Sequence, residues 1–191
     1  MNVFDFDNTI YDGDSTVDFW KYCMKRFPKT KKHLAHTAVN GIKFAFGIIN
    51  KTEFKEDFYR FLGEINDIDS VLCDFWDVHE EKIKDWYLNM QKEDDVVISA
   101  SPEFLLDPIC KKLGIKYLMA SVVDKTNGKY TGVNCHGEEK VRRYKEKFRS
   151  KQIHEFYSDS YSDTPLAKLA FDPILVKGED FEPWSEKELS K

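Results

Sequence analysis

The two carboxylates of Asp5-Phe6-Asp7-Asn8-Thr9 constrain this chain more than any other feature. Val3, Phe4 and Phe6 are bulky and apolar, which suits a buried strand. Side chains alternate across a strand, so Asp5 and Asp7 point to the same side. Two ionised carboxylates held that close repel each other, and in a water-poor site one of them takes up a proton. A divalent cation removes the conflict, and Mg²⁺ prefers hard oxygen ligands. An ordinary strand end running into a turn with two solvated acids has the same spacing. The remainder of the chain decides between the two.

With 191 residues there is room for one ordinary domain and a large insertion. An apolar share of 41% beside a charged share of 33% fits a soluble globular protein. The net charge of −5 reads as spread along the chain, and no basic block suggests a nucleic-acid partner. No apolar run approaches the roughly 18 residues that cross a bilayer. Cys23, Cys73, Cys110 and Cys135 lack metal-ligand spacing and read as reduced, mostly buried thiols. A strand at the very start leaves nothing for targeting, so the expected location is cytoplasmic. Nothing in the sequence fixes an oligomeric state.

Gly13 ends a turn-rich stretch after Thr9, and Asp14 or Ser15 can cap a helix carrying Val17, Phe19, Trp20, Cys23 and Met24. Residues 33–50 read as a helix with a broad apolar stripe: Leu34, Ala38, Val39, Ile42, Ala45, Phe46 and Ile49. Burial among neighbouring helices is the expectation for it; an exposed face for a greasy substrate or a membrane surface is the alternative. Thr52 is the expected N-cap of the next helix, and a single helix is expected from Ser70 to about Met90. No strand pattern appears between 29 and 94, so this region reads as an all-helical insertion.

Three further segments carry polar groups at strand or helix ends. Val96-Val97-Ile98 is a β-branched run typical of a central parallel strand; it ends at Ser99, with Pro102 opening a helix. A small hydroxyl and free N–H groups at a helix start make a phosphate site, although Ser99 can equally be a plain helix cap, and Ser101 competes with it. Gly137-Glu138-Glu139-Lys140 opens another helix; Lys125, Lys129 and Lys145 are its rivals as the source of an ammonium. A short strand at 153–158 leads to Asp159 and, four residues on, Asp163. Leu166 to Phe171 is expected to continue as helix, with a last strand at 173–176 and Trp184 packed on the core.

In this order, the segments resemble the four motifs of the haloacid dehalogenase-like superfamily, in its phosphoserine phosphatase-like branch (subfamily IB). The resemblance implies an α/β fold: a Rossmann-like parallel sheet core at 1–13 and 95–191, with an inserted all-helical cap at 14–94. It implies Asp5 as nucleophile and Asp7 as general acid/base. Ser99 and Lys140 would hold the phosphate. Asp5, the Asp7 carbonyl and Asp159 would hold Mg²⁺, with Asp163 binding the metal or a water on it. The family's paired glycines after the serine are replaced by Ala100 and Ser101, and Ser158 stands in for the glycine of the usual Gly-Asp ahead of Asp159.

The implied activity is Mg²⁺-dependent phosphomonoester hydrolysis through an aspartyl-phosphate, on a small phosphorylated metabolite or a lipid phosphate of the phosphatidylglycerophosphatase type. A dehalogenase of the same superfamily is the rival enzyme class. Relatives place an acid near Asp14 and a carboxylate-gripping arginine in the cap, but Tyr59-Arg60-Phe61 does not register onto that motif, so phosphoserine is expected to be a poor substrate. Asn134 and His136 flank the third motif without an assigned role.

Overall fold

The computed structural model describes residues 1–149 and 151–191. Six strands form one sheet in the order β3-β2-β1-β4-β5-β6. They are β1 (Val3–Phe4), β2 (Val96–Pro102), β3 (Tyr117–Ser121), β4 (Ile153–Ser158), β5 (Ala170–Lys177) and β6 (Asp180–Pro183). The first five run parallel; β6 turns back antiparallel on β5. β1 lies in the middle, with Val3 paired to Val96 on one side and to Phe156 on the other. The strand order reverses there, and open α/β sheets bind ligands at the carboxyl ends of such strands.

Alternation along the strands sorts side chains to two faces. Phe4, Val97, Tyr157 and Val176 belong to one apolar cluster, whereas Val3, Val96, Ile98, Phe156 and Leu175 belong to another. Helices cover both faces, as parallel sheets require. On the first lie α1 (Ser15–Arg26), α4 (Ile68–His79), α5 (Asp85–Met90) and α6 (Glu103–Lys112). The Phe4 ring stacks on Tyr157 at 4.9 Å and meets Tyr87 edge-on at 5.0 Å. Trp76 donates its indole N–H to the Leu105 carbonyl. Thus α4 and α5, although inside the insertion, pack on the sheet. On the second face lie α7 (Glu138–Phe148), α8 (Thr164–Ala167) and α9 (Glu186–Leu189), with Trp184 buried against Phe156.

Between α1 and α4 come α2 (Leu34–Ala45) and α3 (Lys51–Phe58). The α2 helix departs most from expectation. Asn40 is its only buried residue, while Ile42 is 60% and Phe46 79% exposed. Its apolar stripe is therefore not covered by other helices of the chain. Asn50 caps α3 with a reciprocal Asn50–Glu53 box, so the cap falls two residues before Thr52.

The expected helix from 70 to 90 is broken at 80–84. Ile83 bridges to Tyr11, and the Lys84 and Asp12 amides bond to the Ile10 and Lys82 carbonyls. Pairing with the turn after β1 overrides helix propensity there. Near the C-terminus the helix stops at Ala167, and β5 begins at Ala170. Gly178, at φ 62°, then turns the chain into the unforeseen β6. Cys23, Cys110 and Cys135 are buried, Cys73 is exposed, and all four are free.

Candidate active site

At the carboxyl edge of the sheet a cavity of about 390 Å³ is lined by Asp5, Asp7, Ser99, Lys140, Asp159 and Asp163. All six residues singled out in the sequence thus face one space, from segments up to 158 positions apart.

Asp5 continues β1, its amide bonded to the Tyr157 carbonyl at 2.8 Å. The chain then coils tightly. The Thr9, Ile10 and Tyr11 amides all point at the Phe6 carbonyl, and Asn8 takes φ 56°, which Asn tolerates better than most residues. Thr9 accepts the Asp159 amide on its hydroxyl at 3.0 Å, tying the first acidic turn to the last. Lys84, a buried lysine from the broken-helix segment, donates to the carbonyls of Asn8 (3.2 Å) and Gly178 (2.5 Å).

Asp7 is held on both oxygens. Oδ1 accepts the Ser15 amide at 2.7 Å, and Oδ2 accepts the Ser101 hydroxyl, itself 3.0 Å from the Thr16 hydroxyl. Burial, with Asp14 nearby, pushes Asp7 up to about 6, while the Ser101 and Ser15 bonds pull the other way. A carboxyl raised toward neutrality is suited to exchange a proton at ordinary pH. Asp14 caps α1, accepting the Val17 amide at 2.9 Å, and also lines the cavity.

Gly137, at φ 57°, starts α7 and sets Lys140 in its first turn. The ammonium is 2% exposed and bridges Asp5 Oδ1 (2.8 Å) and Asp163 Oδ2 (2.7 Å). Burial alone would lower its pKa, yet the two carboxylates overcome that and raise it, so it stays charged. Of its sequence rivals, Lys125 is engaged at the surface by Asp69. Burial raises Asp5 to about 7 against the pull of Lys140, and raises Asp159, with Asp163 adding to it.

Five carboxylates, Asp14 among them, thus face the cavity, with one ammonium bridging two of them. Unit charges about 4 Å apart interact by roughly 4 kcal/mol at an effective dielectric of 20, which is enough to hold protons on the acids unless a cation intervenes. Asp163 Oδ1 is buried without a hydrogen-bond partner, and every donor here is a hard oxygen. These features fit Mg²⁺. Both Asp7 carboxylate oxygens are already occupied, so Asp7 has its main-chain carbonyl left to offer. Among the described residues, no three His, Cys, Asp or Glu side chains form a metal cluster by themselves.

β2 runs past the expected end at Ser99 to Pro102, its pairing with β3 shifting register after Ile98; Ser99 is buried there and accepts the Ser101 amide at 3.1 Å. Ser101, its competitor in the sequence, turns its hydroxyl to Asp7 instead. The opposite wall comes from α3 and α1: Val17, Phe54 and Phe58 are apolar, while Lys51 and Lys55 are basic. Lys55 donates to the Ala100 carbonyl at 2.9 Å across the cleft. Burial, then Lys51, pulls its pKa down to about 8. His136 lines the cavity, whereas Asn134 accepts the Ser121 hydroxyl. Arg60 pairs with Asp57, half exposed and outside the cavity.

Sequence reasoning missed Thr9, Ser15, Lys84, Lys51 and Lys55 as site components. The Lys51–Lys55 spacing, i and i+4 on one helix face, was the available signal for that pair.

The model of haloacid dehalogenase-like hydrolases matches residues 3–168. A histidinol-phosphatase of Neisseria meningitidis serogroup C (strain 8013) is 24% identical over 92% of this chain and 89% of its own length. Among solved structures, a protein of unknown function from Bordetella pertussis Tohama I superposes with a TM-score of 0.74 at 19% identity, over 92% of this chain and 88% of the other. A phosphoserine phosphohydrolase-like protein from Francisella tularensis subsp. tularensis SCHU S4 gives 0.58 at 15% identity, over 94% and 90%. At such identities the structural matches speak for the fold.

Proposed function

The chain belongs to the haloacid dehalogenase-like hydrolases, and from that membership we propose that it is a Mg²⁺-dependent phosphomonoester hydrolase working through an aspartyl-phosphate on Asp5. The convergence of Asp5, Asp7, Ser99, Lys140, Asp159 and Asp163 on one cavity carries this reading. The name of the Neisseria relative supports it.

Asp5 attacks phosphorus as the bond to the leaving oxygen breaks, and Asp7 delivers its proton to the departing alcohol. Asp7 then takes a proton from water as that water attacks the acyl phosphate, releasing inorganic phosphate and restoring Asp5. Lys140 and Ser99 hold the phosphoryl oxygens, and Lys140 draws Asp5 toward its ionised form against the effect of burial. Asp5, the Asp7 carbonyl and Asp159 would hold Mg²⁺, with Asp163 binding it or a water on it. When bound, the cation neutralises charge on the transferring phosphoryl group.

Lys51 and Lys55 favour a substrate whose leaving group carries further negative charge, next to the apolar wall of Phe54 and Phe58. Arg60 pairs with Asp57 and does not line the cavity, which supports the expectation of poor phosphoserine turnover. A dehalogenase needs neither Asp7 nor the acids at 159 and 163, all of which are here. Hydrolysis of p-nitrophenyl phosphate tests the choice: EDTA should abolish it and Mg²⁺ restore it. A chelator-insensitive enzyme that releases halide would overturn the phosphatase reading.

A further inference from the structure

The charge of this chain is unevenly distributed. Residues 19–52 contain eight Lys or Arg and no Asp or Glu, within a chain of net charge −5. Of these bases, Lys21, Arg26 and Lys32 pair with Asp18, Asp74 and Glu64. Lys25, Lys29, Lys31, Lys43 and Lys51 are exposed. The same segment contains α2, whose Val39, Ile42 and Phe46 are exposed, as is Ile48 just beyond it.

At 3.6 residues per turn, Val39, Ile42 and Phe46 form one stripe, and Lys43 lies about 40° from Val39 on its flank. Gly47, at φ 69°, turns the chain so that Ile48 stands at the end of the stripe with open space around the turn. Large exposed apolar residues with basic residues beside them are the composition of a helix that lies in a membrane interface. At 12 residues, α2 is too short to cross a bilayer, and among the described residues no helix is long and apolar enough to do so.

We infer that α2 and its flanking lysines dock this protein on an anionic lipid bilayer surface. The apolar stripe enters the interface, and Lys29, Lys31 and Lys43 meet the headgroups. Charge selects the occupant: a second copy would bring the same positive segment against itself, whereas an anionic headgroup layer complements it. Phe44, on the side of α2 opposite the stripe, stacks on Phe54 at 5.2 Å, and Phe54 lines the catalytic cavity, so α2 is backed by one cavity wall while its stripe faces outward. None of this requires the phosphatase reading, and vesicle binding is measured without turnover.

The test is co-sedimentation of the whole protein with vesicles of phosphatidylcholine alone and with about 30 mol% phosphatidylglycerol. Binding is expected to the anionic vesicles only, and to fall at about 0.5 M salt. Ile42→Ser/Phe46→Ser and, separately, Lys29→Gln/Lys31→Gln/Lys43→Gln should each weaken it by roughly tenfold or more, with p-nitrophenyl phosphate hydrolysis unchanged. Absence of binding, equal binding to both vesicle types, or binding that neither variant weakens would overturn the inference. So would a dimer in sedimentation equilibrium that Ile42→Ser/Phe46→Ser disperses, since α2 would then be a subunit contact.

Discussion

Lys140, on the sheet side of the cleft, is 2% exposed and fixed between two carboxylates, whereas Ile42 and Phe46 on the inserted helix α2 are 60% and 79% exposed. The sheet side is over-determined. Thr9, Ser15, Ser101 and Lys84 each bind one acidic turn or its neighbour, so the proposed reacting groups are held by several independent bonds. The inserted side crosses to it through few bonds, among them Lys55 to the Ala100 carbonyl and Glu56 accepting the Tyr130 amide. Preorganised charge belongs where bonds break, and a lightly tethered wall suits selection of what enters. Substitutions on the two sides should therefore differ in size and in kind.

The largest effect is expected at Asp7. Asp7→Asn removes the proton carrier, which is worth about 10²–10⁴-fold. p-Nitrophenolate leaves without a proton, so this variant should give a burst of p-nitrophenol followed by slow turnover, with little burst from an alkyl phosphate. Rapid-quench kinetics reads this; equal damage to the first step for both leaving groups would remove Asp7 from the acid role.

Next comes Lys140→Met. It strands the Asp5 and Asp163 carboxylates in a buried site, and breaking such a pair costs about 3–5 kcal/mol. Urea unfolding should show that loss, while Ile42→Ser, exposed on α2, should stay within about 0.5 kcal/mol. Similar losses at both positions would erase the contrast between the two walls.

The smallest effect is expected at Lys55. Its pKa of about 8 means that it is cationic below that pH and neutral above it. For a substrate with a second anionic group, KM should rise about three- to tenfold as pH passes 8, with kcat little changed. Lys55→Met should show the raised KM already at pH 7 and lose the pH dependence. A phosphomonoester without the second anion should be indifferent to both changes.

The parallel strands around β1 and the six polar residues were legible because most of these residues lie just beyond a short apolar strand pattern or in the first turn of a helix, where local pattern and local chemistry coincide. The Thr9–Asp159 and Ser101–Asp7 bonds were not: they join segments 150 and 94 residues apart and leave no periodic trace. The break at 80–84 was hidden for the same reason, since only the turn after β1 calls Ile83 out of a helix. An apolar stripe shows which residues of α2 share a face but not what covers that face, so burial was expected where exposure is found. The overall charge of −5 concealed a basic segment next to it.

The account rests on Asp5 as the group that becomes phosphorylated. Acid quenching during turnover of p-nitrophenyl phosphate, followed by peptide mass spectrometry, tests this directly. A single acyl phosphate on the peptide containing Asp5, labile to hydroxylamine and absent in Asp5→Asn, is the predicted result. A phosphoryl group on another residue, or one that persists in folded Asp5→Asn protein, would contradict it.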